Sequence, residues 1–531
     1  MRQTRLAVTA LSLLGAAVAV MPAGASASSA APSAGGATPA TAGPQHGDTQ
    51  QVCPVDTRPG YVTCQSVIKL ASAARNAPAA VGTDAAVRGY GPGDLRSAYG
   101  LAKAVSRSKG RTIAIVDAYR DPKAESDLAH YRSHYGLPPC TRANGCLHIL
   151  NQNGHSSPLP SPDRDWALEE SLDLDMVSAI CPRCHITLVE GYRPYTRSLG
   201  IAENTAASKA RYVSNSWSTE EFNGEGSFNH YFRHSGHAIV FASGDFGYLN
   251  SSAPPQLGTR PQTYPGVVQT VTSVGGTKLV HKKSGSRAWT ETVWGTAANA
   301  NFEGTQSGCS TLQPKPSWQH KAGDTCTRRT QNDVAAVADP NTGVAVYDSY
   351  GYGGWIQMGG TSAATPIITA IYALAGEAAS RSYPASYIYS HPKSFHDITA
   401  GQDGTCSPAY LCRAGKGYDG PTGVGTPSGA YGLSPYNVNP ITLLDPGAKT
   451  AHMGSTFSLR IAGLDRRAAA NWLKYTATGL PAGLRISGIS QSTNGRITGT
   501  PTATGTFHVT VHARDNHTGK SNATKFTITV K

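Results

Sequence analysis

Thr112-Ile113-Ala114-Ile115-Val116-Asp117 is a nearly unbroken apolar run that stops on an acid. A strand buried on both faces of a parallel sheet reads this way, whereas a half-solvated strand would alternate. Similar runs recur at Ile186-Thr187-Leu188-Val189, Tyr212-Val213-Ser214-Asn215-Ser216 and Ala238-Ile239-Val240-Phe241-Ala242. Helical stretches such as Trp166 to Ala179 lie between them. Strand, helix, strand in this order predicts one large α/β domain, a mostly parallel sheet flanked by helices, over residues 90–436. Beyond it the texture changes. Phe507 to Ala513 and Lys525 to Val530 alternate with period two, and turn formers such as Thr498-Gly499-Thr500-Pro501 separate such segments. Residues 437–531 therefore read as an all-β sandwich.

The N-terminal part looks different again. Arg2 and Arg5 precede an apolar run from Leu6 to Val20, and Ala25-Ser26-Ala27 is a small-x-small cleavage signal. Residues 1–27 are expected to be a secretory signal peptide, too short for a comfortable membrane span. Residues 28–89 read as a low-complexity, poorly structured segment with one small cysteine-closed stretch. The formal charge of +13 is scattered, without a basic run that would point to nucleic acid.

Ten cysteines form five close couples, namely 53/64, 140/146, 181/184, 309/326 and 406/412. An even count in an exported chain reads as disulfides, although spacing alone leaves the connectivity open. Cys181-Pro182-Arg183-Cys184 followed by His185 could also be a redox dithiol or half of a zinc site, but no second ligand pair lies nearby. A structural clip is expected there.

The chemistry centres on Gly359-Gly360-Thr361-Ser362-Ala363-Ala364-Thr365-Pro366. Small residues crowd Ser362, and a serine hydroxyl needs a base before it can attack a carbonyl. No histidine motif of the familiar kind accompanies it, and there is no Gly-x-Ser-x-Gly elbow. Carboxylates are the remaining candidates. Glu169 and Asp173 stand four residues apart in the helix from Trp166, so they share a face. Two carboxyls that close share a proton over some pH range and could pass one from the serine to a leaving amine. Read alone, the helix is expected to present a solvated acidic face, since Glu170 and Asp175 are also acidic. Ser243-Gly244-Asp245 adds a third carboxyl just past a buried strand, where ligands bind open α/β sheets. A protonated Asp245 could donate to an oxyanion.

These residues together resemble the sedolisins, the serine-carboxyl peptidases of subtilisin-like fold. The likeness rests on Glu-x-x-x-Asp at 169–173, Ser-Gly-Asp at 243–245 and Gly-Thr-Ser-x-x-x-Pro at 360–366. It implies that Glu169 is the general base, Asp173 orients it, Ser362 is the nucleophile and Asp245 completes the oxyanion hole. Asp117, where a subtilisin would carry its catalytic aspartate, is left without a role because Asp173 supplies it. Ser216 and Trp217 resemble the strand that lines the substrate cleft. The family also carries one structural calcium ion late in the domain. By resemblance Asp397 and Asp419 would give carboxylates, and Ile398, Gly415 and Gly417 backbone carbonyls. The stretches Gly479-Leu480-Pro481 and Gly495-Arg496-Ile497-Thr498-Gly499-Thr500-Pro501 resemble an immunoglobulin-like repeat of secreted bacterial proteins. One departure stands out: sedolisins are usually made with a long folded prodomain, and the short segment before Tyr90 does not look like one.

The expectation is a secreted, monomeric endopeptidase that is most active in acid and cuts protein or peptide substrates through an acyl-enzyme. Alternatives are a tripeptidyl-peptidase, or a binding or adhesion protein on a catalytically inactive scaffold.

Overall fold

The computed structural model describes residues 44–70, 87–106, 108, 110–249, 262–282, 287–296, 303–322, 324–436, 441–465, 473–489, 494–516 and 519–531. The expected signal peptide, residues 1–27, lies outside them.

The quoted run is the strand Thr112–Ala118, and from Ile113 onward every residue in it is buried. It sits inside an eight-stranded sheet. There it pairs in parallel with His185–Gly191 on one side and Tyr212–Asn215 on the other. Leu147–Asn151 and Ala238–Ala242 extend the sheet in parallel, followed by Thr272–His281. Only Trp289–Val293 runs antiparallel, at the edge. The subtilisin-like expectation holds: a mostly parallel sheet with helices against it.

Helix Arg164–Ile180 starts where the Asp163 carboxylate caps it, accepting from the Asp165 and Trp166 N–H groups. Asp, Asn and Ser favour this position because a short side-chain oxygen satisfies otherwise unpaired helical donors. From Trp166 to Ile180 every residue of this helix is buried, including Glu169, Glu170, Asp173 and Asp175. A solvated acidic face is thereby ruled out. The second central helix, Thr361–Ala375, carries Ser362 in its first turn and packs against the first.

One expectation needs correction. Residues 44–70, placed ahead of the α/β domain as poorly structured chain, are built into it. Thr49–Gln51 pairs with Val67–Lys69, which pairs with Gly354–Gly359, the strand leading to Ser362. Thr63–Cys64 pairs with Trp217–Glu220. Val52, Val62, Val67 and Ile68 bury their side chains, and that apolar contact is what a composition average over the whole segment concealed.

All five cysteine couples are disulfides, including Cys181–Cys184. The C-terminal region is all β and has its own aliphatic core, with Ile461, Ile497, Val511 and Ile528 fully enclosed. Gln269 joins it to the α/β domain. Its side-chain amide donates to the Asp445 carbonyl at 2.9 Å and accepts from the Asp445 N–H at 3.0 Å.

Candidate active site

The four expected catalytic residues meet. Glu169, Asp173, Asp245 and Ser362 are all buried around the first turn of the serine helix. Ser216 links them: its hydroxyl donates to Asp173 Oδ1 at 2.7 Å, and its carbonyl accepts from the Ser362 hydroxyl at 3.1 Å. Asp245 arrives from the end of strand Ala238–Ala242. Its Oδ1 accepts from the Thr361 N–H at 2.7 Å and the Thr361 hydroxyl at 2.8 Å, while Oδ2 has no partner. That free oxygen lies beside the N-terminus of the serine helix.

Burial sets the protonation of this group. It raises Glu169 well above the usual carboxylate range, and the neighbouring Asp117 adds to the rise. The nearby Ser362 and Ser66 hydroxyls pull Glu169 partly back. Asp173 is raised well above its usual range by burial, then by Asp117 and Glu169, against the Ser216 hydrogen bond. Burial also holds Asp245 well above its usual value, although Thr361 opposes it. Carboxyls that lose water without gaining a cation keep their protons.

Asp117 is the residue the sequence reading set aside too quickly. It is fully buried, neither of its oxygens has a partner, and burial beside Glu190 pushes it up to about 8. Its field reaches both Glu169 and Asp173. The signal was in the sequence, as an acid closing a buried strand. Thr361, which holds Asp245, had no such signal.

Ser216 is fully buried between Asp173 and Ser362. Trp217 is a fully buried strand residue: its indole N–H donates to the Val116 carbonyl at 2.9 Å, and its ring packs edge-on to Phe241 at 5.0 Å.

The expected calcium residues also come together. Both Asp397 oxygens accept from the Gly417 N–H, and Asp419 Oδ2 accepts from the Gly415 N–H at 3.0 Å. Asp419 is pushed up to about 7, chiefly by burial, with Asp397 adding repulsion. Ile398 is buried against Val293 and Ala414. A separate buried trio, Asp121, Asp127 and Asp348, offers oxygens within 4.8 Å of one another and could hold a metal.

The α/β domain is similar in fold and in its cluster of buried acids and serine to the sedolisin-type serine-carboxyl peptidases, and the region after it is similar to an immunoglobulin-like module. Residues 185–390 match the Subtilase family and residues 439–531 the family described as "Putative Ig domain". The chain is 27 % identical over 359 residues to sedolisin of Pseudomonas sp. (strain 101), covering 64 % of this chain and 60 % of that protein. It is 28 % identical over 369 residues to kumamolisin of Bacillus sp. (strain MN-32), covering 65 % of this chain and 63 % of that one. The match thus spans about three fifths of each of these relatives. Among solved structures, Pseudomonas sedolisin bound to pseudo-iodotyrostatin superposes with a TM-score of 0.52 at 24 % identity, over 65 % of this chain and 96 % of that one. That likeness concerns the fold.

Proposed function

We propose that this protein is an acid-acting, exported serine-carboxyl endopeptidase. The observation that carries the reading is the cluster of Glu169, Asp173, Asp245 and Ser362, held together by Ser216 and Thr361. Ser362 Oγ attacks the scissile carbonyl while its proton passes to Glu169, which accepts it when the Glu169–Asp173 pair holds a single proton between its two carboxyls. Asp173 shares protons with Glu169 and keeps its field steady. Protonated Asp245 Oδ2 and the Ser362 N–H receive the oxyanion. Glu169 then hands the proton to the departing amine, and water enters by the reverse sequence to release the acyl group. Neutral Asp245 can donate; ionised Asp245 would repel the oxyanion. That requirement is the reason for an acid optimum. The five disulfides support export, because such bonds persist in oxidising compartments. Among the described residues no helix is long and apolar enough to cross a membrane.

The deciding experiment is hydrolysis of denatured casein from pH 3 to 8 by wild type and Ser362→Ala. Loss of activity in the variant, with the wild-type rate greatest in acid, supports the reading. Equal rates in the two proteins would end it.

The residues at 397–419 fit a calcium ion. Two carboxylates repel one another in a glycine turn, and calcium favours oxygen donors of this kind. Asp397 and Asp419 would hold it with the carbonyls of Ile398, Gly415 and Gly417. Chelation should lower the melting temperature of wild type and leave that of Asp419→Asn unmoved.

A further inference from the structure

Asp121, Asp127 and Asp348 come from three elements and end in one place. Asp121 lies just past the strand Thr112–Ala118, Asp127 stands in the helix Ala124–His134, and Asp348 closes the strand Val344–Asp348. One oxygen of each lies within 4.8 Å of the others. All three are dry, at 2 %, 3 % and 0 % exposure. Among the described residues none of them forms a salt bridge. Arg164 is close enough to Asp348 to influence it, but its Nε donates to the Gly351 carbonyl at 3.0 Å and its guanidinium lies over the Tyr352 ring. Carboxylates packed this closely repel one another, and burial removes the water that would screen them.

Main-chain donors hold each carboxylate from outside the trio. The Lys123 N–H donates to Asp121 Oδ1 at 2.7 Å and the Ser349 N–H to Asp127 Oδ2 at 2.6 Å. The Gly351 and Tyr352 N–H groups both donate to Asp348 Oδ1 at 2.9 Å. Donors of this kind orient carboxylates that bind metals. Asp348 Oδ2 stands apart: it is enclosed, has no partner, and is the oxygen this carboxyl has left to offer the trio. Glu170, outside the trio and also fully buried, accepts from the Asp121 N–H through Oε2 at 3.0 Å, while its Oε1 has no partner either. A buried carboxylate oxygen without a donor calls for a proton or a cation.

We propose that Asp121, Asp127 and Asp348 bind a calcium ion, separate from that of residues 397–419, and that this ion fastens the hairpin before the catalytic serine to the central strand. An all-oxygen set suits calcium, magnesium or manganese rather than zinc or copper, which take imidazole and thiolate. Oxygens within 4.8 Å of one another fit around calcium, whose ligands sit about 2.3–2.6 Å from the ion. Magnesium demands near-octahedral ligands at about 2.0–2.1 Å and keeps several waters, which a dry site does not offer. The Ser171 hydroxyl, 3.4 Å from Asp121 Oδ2, and the Ser349 hydroxyl, 2.8 Å from Asp127 Oδ1, border the same acids. They add oxygens toward the roughly six to eight that calcium takes.

Strand Val344–Asp348 pairs antiparallel with Gly354–Gly359, which runs into the serine helix. Asp121 follows the strand that carries Asp117. The ion thus ties together the segments that position Ser362 and the buried acids, and its loss acts on stability first.

The test uses full-length Asp419→Asn, which lacks a carboxylate of the 397–419 loop, alone and combined with Asp348→Asn or Asp127→Asn. Asparagine at 348 keeps an oxygen for the Gly351 and Tyr352 N–H groups and replaces Oδ2 with an amide nitrogen. Each protein is stripped with a chelator and titrated near neutral pH, with calcium by calorimetry and with terbium by luminescence excited through neighbouring tyrosines. Tyr352 adjoins the site. Asp419→Asn should take up one calcium, gain melting temperature from it and show sensitised terbium emission. Either added substitution should weaken calcium at least tenfold and remove that emission, because even an outer-shell partner is worth about 10–100-fold in metal affinity. Circular dichroism of the double variants should match that of Asp419→Asn. Uptake left unchanged by both added substitutions, or no uptake by Asp419→Asn, overturns the proposal. Magnesium binding as tightly as calcium overturns it too. Casein hydrolysis enters none of these readouts, so the peptidase reading stands or falls separately.

Discussion

Both folded regions bury apolar cores, but the α/β domain also buries a cluster of carboxyls. The sandwich encloses aliphatic side chains such as Ile461, Val511 and Ile528. The α/β domain adds buried carboxyls that form no salt bridge among the described residues: Asp117, Glu169, Glu170, Asp173, Glu190, Glu203 and Asp245. Aliphatic burial stabilises a fold at every pH, whereas an unpaired buried carboxyl costs stability whenever it ionises. The contrast teaches that one region is built to stay folded and the other to hold protons.

The largest expected effect tests the proton-holding side. Ser362→Ala should lower casein hydrolysis by about 10³-fold or more, because removing the nucleophile disables the whole unit. Its far-ultraviolet circular dichroism should match wild type. Next, Asp245→Ala should cost about 10²–10³-fold in kcat at acid pH, the usual loss for one oxyanion donor. A change confined to KM would show that Asp245 only binds substrate.

Thermal melts sharpen the comparison without touching catalysis. Burial pushes Glu203 up to about 8, against the smaller opposing pull of the nearby Asn215 side chain. Below the ordinary carboxylate range, folded and unfolded chains both hold that proton. Between that range and about 8 only the folded chain holds it, so raising the pH favours unfolding. Glu203→Gln should therefore be nearly silent at low pH and raise the melting temperature at high pH. A gain of equal size at both ends would sink the titration argument. The smallest effect belongs to the sandwich. Ile528→Val should destabilise that region by about 0.5–1.5 kcal/mol and leave casein kinetics unchanged.

Much of the α/β domain was legible because its strands are apolar runs buried on both faces, and such runs need no context to be recognised. Glu169 and Asp173 were legible because helical spacing alone places them side by side. Residues 44–70 were not. Their composition resembles the low-complexity chain around them, and Thr49–Gln51, Thr63–Cys64 and Val67–Lys69 are too short to stand out. What orders them is pairing with strands far away in the sequence. Asp117 was visible but could not be weighed, because its influence on Glu169 depends on the distance between a strand end and a helix.

The sequence by itself determined the parallel sheet and the C-terminal strands, which follow from local periodicity, while the three acids and one serine stood out through their resemblance to the sedolisin motifs. Only the tertiary structure decided that the acids are dry, that Asp117 joins them, and that Asp121, Asp127 and Asp348 meet. Each of those depends on which atoms exclude water from which others, and such exclusion exists only once distant segments have packed.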